Sequence, residues 1–140
     1  VYFESNSSSI KPEVAAELRA YIPTLLKVKK SEKGKWIKRF IVEGFTDQDG
    51  SYTLNLALST ARSRSVICAL VSPIPASPTL SNEQLLDIQR YFSLGGFSSY
   101  SIREDKKLSR RVEIRVEFWT LDEIKKGQEK LLLNREFGVC

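Results

Sequence analysis

A chain of 140 residues, 41% apolar and 28% charged with a formal net charge of +5, has the make-up of one soluble globular domain. It contains no histidine and only two cysteines, Cys68 and Cys140, which excludes histidine-dependent hydrolase triads, histidine-based metal centres and a structural zinc site. The excess of lysine and arginine suits a polyanion, yet these residues are spread over 27–39, 103–115 and 125–135 without interleaved aromatics, so they predict a solvated basic face and no nucleic-acid partner.

Val1-Tyr2-Phe3-Glu4 is short and aromatic and predicts a first strand. A chain that starts in a strand implies an excised domain, with any signal or membrane anchor upstream of Val1. Ser5 to Ser9 is a polar loop, and Pro12 with Glu13 has the chemistry of a helix start. Val14, Leu18, Tyr21, Ile22 and Leu25 recur every three or four residues and predict an amphipathic helix to about Lys27, kinked or shortened by Pro23. A basic turn with Gly34 leads to a second strand over Lys35–Phe45, in which Phe40-Ile41-Val42 is buried.

Asp47-Gln48-Asp49-Gly50-Ser51 is a turn in which Gly50 supplies a positive φ and Ser51 caps the following helix, from Tyr52 to about Leu70. On that helix Leu54, Leu58, Ala61, Ser65 and Cys68 form a stripe expected to face the core. Asn55, Ser59, Arg62 and Val66 form its neighbour at the core edge. Asn55 and Arg62 lie two turns apart on nearly one line, and Asp47 sits on the loop that feeds the helix. An acid, an amide and a guanidinium so placed suit a zwitterion resembling an amino acid.

The prolines of 71–78 end the helix, and Ser81-Asn82-Glu83-Gln84 has capping-box spacing for another over about Asn82–Tyr91. Leu94–Tyr100 predicts a strand with a glycine bend. Arg111–Phe118 alternates strictly, placing Val112, Ile114, Val116 and Phe118 on one face, and the two strands are close enough for a hairpin. Thr120-Leu121-Asp122-Glu123 opens a terminal helix expected to bury Leu121, Ile124, Leu131 and Leu132. Cys68 reads as a small core residue and Cys140 as a free thiol. The predicted fold is α+β: a β-α-β-α-(α)-β-β two-layer sandwich, its mixed sheet covered by helices on one face, plus a C-terminal helix.

Three blocks in order resemble the OmpA-like peptidoglycan-binding domain of porins, envelope lipoproteins and MotB-type stators. Phe3-Glu4-Ser5-Asn6-Ser7-Ser8-Ser9-Ile10-Lys11-Pro12-Glu13 resembles the family's opening F-x-S-G-S-x-x-L-x-P-E. Gly44-Phe45-Thr46-Asp47 with Asn55, Leu58-Ser59 and Arg62 follows G-H-T-D … N-x-x-L-S-x-x-R, and Ser109-Arg110-Arg111-Val112-Glu113 resembles N-R-R-V-E. The resemblance implies an OmpA-like domain over 1–119 with a helical extension over 120–140. It implies non-catalytic anchoring to peptidoglycan through the diaminopimelate of the stem peptide, in the periplasm of a Gram-negative bacterium, without a cofactor. Membrane attachment would come only from an upstream anchor.

By the same resemblance Asp47 takes the ligand's ammonium and Arg62 its carboxylate, with Asn55, Thr46, Ser59 and one of Arg110 or Arg111 assisting. Arg62→Ala is then expected to abolish binding to sacculi with the fold unchanged. Phe45 stands where the family has histidine and Ser109 where it has asparagine. The proline-rich 71–94 excursion is expected to form a lid or a partner surface. These departures support an alternative, an OmpA-like fold repurposed as an interaction module of a membrane complex, such as a dimeric stator-type subunit.

Asp47-Gln48-Asp49-Gly50-Ser51 also resembles the nucleophile loop of haloacid-dehalogenase-type phosphatases and the start of a calcium loop. Against the phosphatase, the chain is short and the turn lacks an unbroken buried strand before it. Against calcium, Tyr52 and Leu58 occupy the positions that require glycine and glutamate. Trp36 and Trp119 read as packing residues at strand edges.

Overall fold

Strand β1 (Ile37–Gly44), with its apolar run Phe40-Ile41-Val42, takes the centre of the sheet. A computed structural model describes residues 1–72, 79–126, 138 and 140. Ahead of β1, helix α1 (Pro12–Lys30) starts at its proline and runs through Pro23, so that residue does not shorten it. A 3₁₀ turn over Lys33–Trp36 follows, where Gly34 lies so close to the end of α1 that a Cβ would meet the Val28 carbonyl oxygen at 2.0 Å.

Helix α2 (Tyr52–Val71) is capped by Ser51, whose hydroxyl accepts from the Leu54 amide, and Gly50 has a φ of 95°. Helix α3 (Asn82–Tyr91) opens with the reciprocal Ser81–Gln84 capping box. Strand β2 (Phe92–Gly96), the short helix α4 (Lys106–Ser109), strand β3 (Val112–Phe118) and helix α5 (Leu121–Lys126) complete the described elements.

The sheet order is β2-β1-β3, with β2 parallel and β3 antiparallel to β1. The expected hairpin between the last two strands is therefore absent. They flank β1 because the linking segment, containing α4, crosses the end of the central strand instead of turning back. The first predicted strand is reduced to an isolated bridge between Tyr2 and Arg111. The fold is α+β with a mixed sheet, as its sequence order predicts.

Ile22 and Leu26 of α1, Leu70 of α2, Leu80, and Ile88 of α3 form one buried cluster. Phe3, Val42, Val66 and Val112 form another. The described part of the 71–94 excursion thus builds core and is not a lid; residues 73–78 lie outside the described residues. Its α3 also supplies Asp87, which pairs with Lys30 of α1 at 2.6 Å.

The stripes on α2 are reversed from the expectation. Asn55, Ser59, Arg62, Ser63, Val66, Ala69 and Leu70 are buried, while Leu54 is exposed. On α1 the buried residues are Ala15, Arg19, Ile22 and Leu26, and Tyr21 faces solvent. Helix α5 leaves Leu121 and Ile124 exposed instead of burying them. Leu131 and Leu132 lie outside the described residues.

Cys68 and Cys140 form a disulfide with a Cα–Cα distance of 5.8 Å, correcting the reading of two independent thiols. Among the described residues no helix is long and apolar enough to cross a membrane.

Candidate functional site

The polar stripe of α2 is buried because the sheet end and the N-terminal loop bring hydrogen-bonding groups down onto it. Two glycines make the approach possible. At Gly44 a Cβ would stand 2.0 Å from the Ser59 carbonyl oxygen, and at Gly96 it would stand 2.7 Å from the Thr60 nitrogen. With the helix that close, the Ser63 hydroxyl donates to the Gly95 carbonyl at 2.7 Å, and Ser59 Oγ accepts from the Ser98 amide at 3.0 Å. Composition and spacing did not single out Ser63 or Ser98, and they marked Gly44 only as part of a family block and Gly96 only as a bend in a strand. Their signal was the small-residue pattern, which apolar periodicity ignores.

Arg62 is fully buried. Its Nε donates to the Ser7 carbonyl at 2.9 Å, Nη1 to the Phe45 carbonyl at 2.8 Å and Nη2 to the Glu4 carbonyl at 3.1 Å. The guanidinium also lies 5.3 Å from the Phe3 ring centre. It pins the loop between the first residues and α1 to the end of β1. Burial lowers its pKa to about 10, opposed by the nearby Asp47 carboxylate and reinforced by Arg110. Truncating this residue without disturbing the fold, as the sequence reading expected, is incompatible with three backbone acceptors depending on it.

Asp47 pairs directly with Arg110, not with Arg62. Arg110 Nη1 lies 3.0 Å from Asp47 Oδ2, and its Nε donates to the Phe3 carbonyl at 3.1 Å. Asp47 Oδ1 accepts from the Asp49 amide, an Asx-type turn, and Asn55 Nδ2 reaches the Asp47 carbonyl at 3.4 Å. Outside this pair, Lys106 of α4 holds the exposed Asp49 at 2.8 Å. One carboxylate therefore faces two guanidiniums, those of Arg62 and Arg110, leaving a local surplus of one positive charge.

Arg111 turns the other way. Its side chain is buried, contacts Glu113 at 2.5 Å, donates to the Ser101 carbonyl at 3.0 Å and lies 4.4 Å from the Phe45 ring centre. The hydrogen bond that Arg111 Nε donates to Glu113 holds the Glu113 carboxyl below its usual range. Phe45, in the place of the family's histidine, stacks on Phe97 at 5.7 Å. Ser109, in the place of asparagine, accepts from the Arg103 amide at 2.8 Å and so ties the last loop. Thr46 is buried with its hydroxyl unpartnered among the described residues.

The structure thus brings Asp47, Arg62, Asn55 and Arg110 to one end of the sheet, puts Thr46 and Ser59 behind them, and sends Arg111 to the neighbouring loop. All of these residues are buried. Among the described residues there is no cluster of three or more acidic or cysteine side chains suited to a metal ion.

The sequence profile of the OmpA family matches residues 2–77. The chain belongs to the OmpA family. Among solved structures, this OmpA-family chain superimposes on the peptidoglycan-associated lipoprotein of Burkholderia pseudomallei with a TM-score of 0.57 and 18% identity, over 84% of this chain and 88% of that one. The C-terminal domain of Helicobacter pylori MotB gives a TM-score of 0.58 at 17% identity, over 89% of this chain and 88% of that one. Both likenesses concern the fold. In sequence the chain is similar to the Zorya protein ZorB of Escherichia coli O139:H28 (strain E24377A / ETEC), 42% identical over 121 residues, or 85% of this chain. It spans about half of that relative, 49% of its length.

Proposed function

We propose that this OmpA-family domain binds peptidoglycan without catalysis, in the periplasm, at the diaminopimelate residue of a stem peptide. The observation that carries the reading is the charge arrangement at the end of β1: the Asp47 carboxylate beside the Arg62 and Arg110 guanidiniums, with one positive charge in excess. In this reading a zwitterion enters by exchange. Its ammonium takes Asp47, and its carboxylate takes Arg110 as that side chain leaves the acid. Arg62 adds positive potential from behind and keeps the N-terminal loop in place. Asn55 holds the Asp47 backbone, Thr46 and Ser59 support the loop, and Arg111 shapes the neighbouring wall.

The test is sedimentation with purified sacculi. Wild type should pellet, and Asp47→Asn should weaken pelleting by about tenfold or more, the range expected for losing a charge-assisted contact. Equal pelleting of the two proteins would remove Asp47 from the site. A wild type that stays in the supernatant would remove the function.

A second reading rests on a separate observation: every candidate residue is buried and engaged within the fold. A closed cluster of this kind supports a domain whose charges are structural and which serves a stator-type membrane complex through its surface. Similarity to ZorB accords with that alternative. Titration of stem peptide while following the arginine side-chain NMR signals separates the two, since only wall binding moves Arg110.

A further inference from the structure

A groove of about 390 Å³ lies where the first turns of α2 meet the loop after β2. The helix supplies Tyr52 and Leu56 to its lining, and the loop supplies Phe97, Ser99 and Tyr100. Tyr52 is 71% and Tyr100 89% exposed, so neither ring serves the core. Aromatic rings left open around one depression mark a contact surface. In a chain that is 28% charged, no charged side chain lines this groove among the described residues.

The loop is fixed in place before any ligand arrives. Ser98 is held at a φ of 52°, its amide donating to Ser59 Oγ at 3.0 Å and its carbonyl accepting from the Thr46 amide at 2.9 Å. The Phe97 amide donates to the Gly44 carbonyl at 2.9 Å, and its ring stacks on Phe45. These anchors join the groove to the Asp47 loop. Thr46 immediately precedes Asp47, and Asn55, about one turn beyond Tyr52 on α2, holds the Asp47 carbonyl.

We propose that this groove takes N-acetylated sugar rings of the peptidoglycan glycan strand, beside the stem-peptide site. The proposal rests on the wall-binding reading and adds a second part of the same polymer. A pyranose offers an apolar C–H face to an aromatic ring, and its rim of hydroxyls pairs with tyrosine and serine hydroxyls. Its acetamido methyl suits the half-exposed Leu56. The sugar rings of a strand that carries its stem peptides are uncharged, which matches the lining. A nucleic-acid strand would need cations that the groove lacks. Continuity with the Asp47 loop selects wall glycan over an unrelated protein.

The probe is the neutral β-1,4-linked tetramer of N-acetylglucosamine, which has no diaminopimelate and so reads this groove alone. Titrated to about 20 mM, it should shift the ring signals of Tyr52 and Tyr100 and the amides of residues 97–100. Tyr52→Ala and Tyr100→Ala should each weaken that binding about fivefold or more, whereas Tyr100→Trp, which keeps a stacking face, should preserve it. Both tyrosines are exposed, so the melting curves should not change. The double alanine variant should pellet with sacculi about tenfold less well than wild type, yet bind free stem peptide equally. Asp47→Asn should bind the tetramer as wild type does. Tetramer binding by a protein indifferent to stem peptide would uphold the groove and overturn the Asp47 reading. No shift at the two tyrosines, tetramer binding undiminished in the alanine variants, or undiminished pelleting of the double variant would each overturn the groove.

Discussion

Arg62 shows how a residue chosen for its charge can owe its place to geometry. Its planar donors match three backbone carbonyls, those of Glu4, Ser7 and Phe45, and lysine cannot reproduce that fork. Arg62→Ala is expected to lower unfolding stability by about 3 kcal/mol, counting roughly one unit per orphaned acceptor. Arg62→Lys should recover only part of the loss. Urea denaturation with tryptophan emission measures both, and an alanine variant as stable as wild type would contradict the pinning role. Asp47 makes a different prediction. Asp47→Asn keeps an acceptor for the Asp49 amide but strips Arg110 of its counter-charge. A cost of about 2 kcal/mol is expected, less than for a fully isolated buried pair because the site lies at the protein's rim. The two residues can therefore be told apart: Arg62 should report mainly in stability, Asp47 in both stability and sacculus binding.

At the scale of elements, the parts with local causes were legible in the sequence. The cap at Ser51, the positive φ at Gly50, the Ser81–Gln84 box and the alternation of β3 each depend on a few adjacent residues. The face of α2 was not legible, because what buries Asn55, Ser59, Arg62 and Ser63 is a set of carbonyls and amides from segments distant in the chain. Pairing of β2 and β3 failed for a similar reason: proximity in sequence favoured a hairpin, but the segment between them carries the chain across the end of β1, so that both strands pair with the central one. The approach of α2 to the sheet yields a further prediction. Gly96→Ala places a methyl group 2.7 Å from the Thr60 nitrogen and should displace the helix, costing about 2 kcal/mol or more by overpacking. Nuclear magnetic resonance shifts confined to β2 and α2, with lost stability, are the expected result. The cap of α5 is pH-sensitive in a definable window. Lys38 first, then Thr120, hold the Glu123 carboxyl down at about 2. Because the folded value lies below the ordinary one, the interaction is complete above about pH 4.5 and is lost as pH falls toward 2. The Thr120 amide signal, which reports its bond to Glu123 in the folded protein, should titrate with a midpoint of about 2 and stay constant above about pH 4.5.

For the molecule as a whole, the covalent link between Cys68 on α2 and Cys140 is the feature that spacing could not foretell, since the cysteines stand 72 residues apart. It closes a loop containing α3, β2, β3 and α5, and so restricts the unfolded chain more than any hydrogen bond described above. For a loop of that size the chain-entropy relation gives about 4 kcal/mol, reduced wherever the unfolded chain keeps residual structure. Such a bond persists only in an oxidising compartment, which is what the proposed periplasmic setting provides. The prediction is that dithiothreitol, or Cys140→Ser, lowers the melting temperature by about 10 °C or more for a domain of this size. It should do so without altering the Asp47–Arg110 pair, which lies at the other end of α2. Thermal melts of oxidised, reduced and Cys140→Ser protein, with alkylation and mass measurement to count free thiols, decide the matter. Two alkylatable thiols in unreduced protein from the periplasm would show that the tether does not form.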